Sequence, residues 1–108
     1  MMDKELKAKW IAALRSGKYK QGAGELKTSE NSFCCLGVLA DVIAPDDWMT
    51  CPDTDRPIGN SKVSATGDGF YIKYKYLDDQ DIQAKLAKMN DSRDYSFTDI
   101  ADYIEENL

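Results

Sequence analysis

Apolar residues recur along this chain in two different rhythms. Over residues 4–16 (KELKAKWIAALRS) they fall at Leu6, Trp10, Ala13 and Leu14, with charged residues between. That spacing predicts an amphipathic helix. Gly17 stands where a helix is readily stopped, with Arg15 in the last turn where a cation is favoured. Residues 33–44 place Leu36, Leu39, Val42 and Ile43 on one stripe, widened by Val38 and closed by Pro45, and predict a buried helix. Gly37 inside that helix suggests close packing. A third helix is predicted over 78–89, with Ile82, Leu86 and Met89 inward and Asn90-Asp91 as its stop. A fourth is predicted over 97–107, burying Phe97, Ile100, Ala101 and Ile104, with Leu108 expected inward as well. Ser96 opens it as S-F-T-D, a capping-box pattern with Asp where Glu or Gln is usual.

The second rhythm has a period of two. Residues 62–66 and 70–76 flank TGDG and predict a β-hairpin, with Phe70, Ile72, Tyr74 and Tyr76 on one face and Tyr71, Lys73 and Lys75 on the other. Residues 18–32 carry Gly22 and Gly24 among polar residues and read as a loop or small hairpin, with 19–21 and 25–27 as its strands. Residues 45–61 read as loop. The expected fold is α+β: about four helices around one core with one or two short hairpins, in a single domain over 1–108.

Charge changes this picture. The chain has a net charge of −5. Residues 1–30 hold seven Lys/Arg against four Asp/Glu, and the remainder reverses the balance. An acidic whole argues against broad double-stranded DNA binding, where phosphate neutralisation supplies most of the affinity. The N-terminal MMDKELKAKW lacks an apolar h-region, so no signal peptide is expected, and no apolar run reaches membrane-spanning length. The expected compartment is a cytoplasm.

Candidate chemistry is sparse. With no histidine, neither a Ser-His-Asp nor a Cys-His site can be assembled within this chain. Cys34 and Cys35 are adjacent, Cys51 makes the count odd, and no CxxC is present. A disulfide, a zinc site and a nucleophile are each disfavoured. The cysteines are expected to pack as small hydrophobes, at least one in the core and the other free to line a pocket. Asp53-x-Asp55 matches part of a calcium loop, but the required glycine and terminal Glu are missing, so Asp46, Asp47, Asp53 and Asp55 read as solvated loop carboxylates. Trp48 is expected to plug the core. No catalytic residue, metal or cofactor is expected.

The leading binding candidate is the segment Arg15–Lys27. It offers Arg15 and Lys18 for an anion, Tyr19 for stacking, Gln21 as paired donor and acceptor, and Gly22 and Gly24 for close backbone approach. Asn90, Asp91 and Ser96 are turn and cap residues that would rim a pocket if the last helix packed near the 17–24 loop.

Four stretches carry a resemblance. They are W-I-x-A-L-R-S-G-K-Y-x-Q-G at Trp10–Gly22, F-C-C-L-G-V-L-x-D at Phe33–Asp41, L-A-x-M-N-D at Leu86–Asp91, and S-F-x-x-I-A-D-Y-I-E at Ser96–Glu105. Together the pattern resembles a group of small uncharacterised proteins of tailed bacteriophages and prophages. The resemblance implies an accessory protein acting in the infected host's cytoplasm, of the kind that binds and disables a host component. Three functions compete. The first is a counter-defence protein that sequesters a small anionic, nucleotide-like signal without chemistry. The second is an inhibitor or adaptor that binds a host protein through its acidic surface. The third is an enzyme. No membrane partner and no sequence-specific nucleic acid are expected. A homodimer through the aromatic strand is expected.

Overall fold

The computed structural model describes residues 3–22, 32–45, 48–50, 57–59, 63–66, 69–72, 77, 80–92 and 94–108. Its architecture is α+β, with four helices and three two-stranded pairings among the described residues.

The first helix, α1 (Lys4–Arg15), starts at Asp3, whose carboxylate accepts from the Leu6 N–H at 3.0 Å. Ser16 caps its C-terminus and Gly17 follows at φ 78°, a left-handed conformation that glycine adopts without penalty. Trp10, Ile11 and Leu14 are buried, while Leu6 and Ala13 pack against the core only partly. The inward stripe therefore sits slightly rotated from its expected position, toward Ile11.

Strand β1 (Lys20–Gln21) pairs in parallel with β2 (Ser32–Phe33). The expected small hairpin is thus replaced at its first strand by a crossover pairing. Its second strand, 25–27, lies outside the described residues. The close fit of the two segments is set at Gly22. Its N–H donates to the Phe33 carbonyl at 2.7 Å, and a Cβ there would meet Ser32 Oγ at 2.9 Å.

Helix α2 (Cys35–Ile43) begins two residues later than expected, because Phe33 belongs to β2 and Cys34 is the cap. Residues 35–40 are buried without exception, and Val42 and Ile43 are half-buried. Apart from Asp41, such a helix is apolar and must be enclosed by other elements. Segments β3 (Met49–Thr50) and β4 (Pro57–Gly59) pair antiparallel within the stretch expected to be loop. Strands of two and three residues around Pro57 leave no readable alternation. The predicted hairpin is present as β5 (Val63–Thr66) and β6 (Gly69–Ile72), with Val63 opposite Ile72. Its continuation over 73–76 lies outside the described residues.

Helix α3 (Gln80–Asp91) runs two residues past its expected end, and α4 (Phe97–Asn107) matches its expected span. The capping box forms with Asp99 as its third-position acid. Asp99 N–H donates to Ser96 Oγ at 3.2 Å, and Ser96 N–H donates to Asp99 Oδ2 at 3.1 Å.

The helices pack α1 on α4 and α2, α2 on α3, and α3 on α4. The core they enclose is centred on Trp10, Leu39, Leu86, Ile100 and Ile104, all with no exposed surface. Trp10 Nε1 donates to the Cys35 carbonyl at 2.9 Å, so the indole fills space and satisfies its own polar atom. Trp48 is half-buried against the core, edge-on to Phe33 with ring centroids 6.2 Å apart.

Candidate binding cleft

Asn90 organises the corner where α3 ends and α4 begins. The sequence pattern reads it as a helix stop. In the structure it is the last buried residue of α3, 2% exposed. Its Oδ1 accepts from the Cys35 N–H at 3.2 Å and from Gln21 Nε2 at 3.1 Å. Its Nδ2 donates to the Gly22 carbonyl at 2.7 Å and to Asp91 Oδ1 at 3.3 Å. One amide thus ties α3 to the start of α2 and to the end of β1. Backbone partners fix its orientation: Cys35 N–H can only donate and Gly22 C=O can only accept.

Gln21 extends the network. Its Nε2 also donates to the Tyr95 carbonyl at 2.9 Å, which pins the α3–α4 connection to β1. That connection is tightly turned. Ser92 Oγ donates to the Met89 carbonyl at 2.8 Å and accepts from Asp94 N–H at 3.3 Å.

These contacts leave an open cleft of about 590 Å³, lined by Gln21, Gly22, Asn90, Asp94, Tyr95, Ser96 and Asp99. Its size is that of a ligand site. Its described charged lining groups are two carboxylates, Asp94 and Asp99. Tyr95 is 44% exposed, a large ring open to solvent.

The expected site residues therefore divide. Gln21, Gly22 and Asn90 line the cleft, and Asp91 adjoins it through Asn90. The pocket rim anticipated at Asn90 and Ser96 forms because β1 does pack beside the start of α4. Arg15 points elsewhere. Its guanidinium donates to Asp102 Oδ1 at 2.6 Å and to Glu105 Oε2 at 2.9 Å, clamping α1 to α4. The hydrogen bond to Asp102 foremost, then that to Glu105, raises its pKa above the ordinary value. Lys18 is exposed and does not line the cleft. Tyr19 is no stacking platform. Its hydroxyl donates to Asp41 Oδ2 at 2.6 Å, and its ring sits edge-on to Phe33 at 5.0 Å. Burial first, then the Asp41 bond, pushes the Tyr19 phenol up to about 12. Asp41 also accepts from Trp48 Nε1 at 2.7 Å, so one carboxylate anchors both rings. Gly24 lies outside the described residues.

Asp94, Tyr95 and Asp99 are the cleft residues that sequence reasoning missed. Asp94 and Tyr95 sit between two helices with no pattern of their own, and in the sequence Asp99 is explained by its cap.

Both described cysteines are core. Cys34 and Cys35 are free thiols, 6% and 0% exposed, and neither lines the cleft. The expected pocket-lining place for one of the pair is corrected: the N-cap position turns Cys34 inward. Its Sγ accepts from the Gly37 N–H at 3.3 Å. The Cys35 thiol donates to the Leu86 carbonyl at 3.5 Å. Burial pushes the Cys34 thiol up to about 11 and raises that of Cys35 well above its ordinary value. A thiol so shifted is a poor nucleophile at neutral pH. Asp46, Asp47, Cys51, Asp53 and Asp55 lie outside the described residues. Among the described residues no group of His, Cys, Asp and Glu could hold a metal ion, and no helix is long and apolar enough to cross a membrane.

A family model matches residues 2–63, more than half of the chain. The chain belongs to the family described as Domain of unknown function (DUF8296). The matched part of DUF8296 holds α1, α2 and the β1 wall of the cleft with Gln21 and Gly22, whereas Asn90, Asp94, Tyr95, Ser96 and Asp99 come from the C-terminal part beyond it. No curated protein and no solved structure matches the chain.

Proposed function

We propose that this chain is a phage or prophage accessory protein that works as a non-enzymatic binder, engaging a host protein at the acidic cleft between β1 and the α3–α4 corner. The observation that carries the reading is the cleft's lining: two carboxylates beside an exposed aromatic ring. A basic side chain of a partner finds countercharge there, and Tyr95 gives it an apolar face. Interfaces are enriched in such aromatic anchors. Sequestration of a nucleotide-like signal is less well supported. Its phosphates would meet Asp94 and Asp99, while the Arg15 fork is held by Asp102 and Glu105. Binding leaves the partner chemically unchanged. The host cytoplasm as the place of action, and a dimer through the β5–β6 hairpin, belong to the same proposal. Light scattering that gives one chain mass at high concentration would remove the dimer.

The test is capture of host protein by the tagged chain, run beside calorimetry with nucleotides. Capture by the wild type, its loss in an Asp94→Lys, Tyr95→Ala double variant, its survival in Arg15→Ala and its weakening by salt are the expected results. Capture indifferent to the double variant, or tight nucleotide binding that Arg15→Ala weakens, would overturn the reading.

A further inference from the structure

Resting on the binding role just described, the geometry points to arginine as the side chain that the cleft selects, with Gln21 as the residue that sets this preference. The argument begins with Gln21. Its amide nitrogen donates to Asn90 Oδ1 at 3.1 Å and to the Tyr95 carbonyl at 2.9 Å, which uses both of its hydrogens. The Tyr95 carbonyl can only accept, so the amide cannot flip without losing that bond. Asn90 is locked in turn by the Cys35 N–H and the Gly22 carbonyl. What Gln21 has left for an occupant of the cleft is its Oε1, an acceptor.

Around the same cleft stand the acceptors of Asp94 and Asp99, the latter partly used by the Ser96 N–H. The site therefore asks its occupant for several donors, one for each of three lining residues. A guanidinium supplies five in one plane, carries its charge over that plane, and lies flat on an aromatic ring. The Tyr95 ring, 44% exposed at the cleft, offers that face. A lysine ammonium is compact, strongly hydrated and limited to three donors, and it gains less from separated acceptors. A carboxylate or phosphate would face the Asp94 and Asp99 carboxylates and Gln21 Oε1, with the Ser96 and Tyr95 hydroxyls as its described donors.

The test uses blocked Gly-Arg-Gly, Gly-Lys-Gly and Gly-citrulline-Gly peptides, titrated into the full chain and followed by NMR. Citrulline keeps the planar shape and removes the charge. The arginine peptide is expected to bind about tenfold more tightly than the lysine peptide, the worth of roughly one extra charge-assisted hydrogen bond. The shifts should centre on the Gln21 side-chain amide and the Tyr95 ring. Gln21→Met should bring the arginine-to-lysine ratio close to one. Because Gln21 also holds the α3–α4 corner, Tyr95→Leu provides a second probe. It keeps the Tyr95 backbone carbonyl and should lower the same ratio with an unchanged melting temperature. Equal affinity of the arginine and lysine peptides for the wild type would overturn the inference, as would a ratio unmoved by both variants or citrulline binding as tightly as arginine. Failure of every peptide to bind, with Asp94-dependent capture of host protein intact, would remove the arginine preference alone. Loss of both would remove the cleft.

Discussion

The two halves of α4 carry the same kind of charge and use it differently. In the C-terminal half, Asp102 and Glu105 are both taken by Arg15, and their role is to close α1 against α4. At the N-terminal end, Asp99 lines a cleft with Asp94, and there the holding together is done by neutral amides, Asn90 and Gln21. The ties between distant segments at this corner are made by neutral amides, while the Asp99 carboxylate caps only its own helix. A buried amide satisfies fixed backbone groups without the desolvation penalty of a buried ion. The carboxylates at the cleft are then left facing outward. At the other end of the helix the ion pair is exposed, where such pairs contribute little.

The comparison can be broken most severely at Asn90. Asn90→Leu leaves the Cys35 N–H and the Gly22 carbonyl buried without their partner. It should lose about 2–5 kcal/mol in urea unfolding and open the cleft wall. Next is the thiol pair behind that wall. Cys35→Ser places a hydroxyl in a fully buried apolar site and should lose about 1–3 kcal/mol. Cys34→Ser should be nearly silent, because serine is itself a favoured N-cap and can accept from Gly37 in place of the sulfur. Equal losses from both would mean that the cap at Cys34 is not what sets its surroundings. Neither thiol should react with iodoacetamide at neutral pH until the chain unfolds, as peptide mapping would show. Ser96→Ala removes one side of the capping box and should lower stability by about 1 kcal/mol, with the loss confined to the α4 end in hydrogen exchange.

Two smaller effects sharpen the contrast. The Tyr19 phenol, lifted to about 12, favours its neutral form in the folded chain. Its contribution should be complete below the ordinary value of 10 and lost as pH rises through the folded one. Alkaline unfolding of Tyr19→Phe should therefore lack part of the wild type's fall in stability. Smallest of all should be Arg15→Ala, whose effect on melting should be slight in dilute buffer and vanish in high salt.

Much of the fold was legible in the chain because four helices announce themselves by period and caps. The Ser96 box, the Gly17 stop and the inward face of α4 all follow from local rules. The rest depends on contacts between distant segments. Asn90 reads as a stop because asparagine favours turns, and only the nearby Cys35 N–H and Gly22 carbonyl make it core. Arg15 reads as an anion fork because nothing near it in sequence discloses Asp102 and Glu105. Two-residue strands such as β1 and β2 leave no alternation to see. The cleft was half legible, through Gln21, Gly22, Asn90 and Ser96, and its charge was not.

The α1–α4 closure has a consequence for how the chain is made. Arg15 and Glu105 are separated by 90 residues. A ribosome delivers α1 well before α4, so the nascent chain carries Trp10, Ile11 and Leu14 through the synthesis of every element from β1 to α3 before the helix that covers them exists. The core can be completed only once α4 has left the exit tunnel. Until then the growing chain must keep an apolar helix out of wrong company, and the pairing that closes the core is one of long sequence separation.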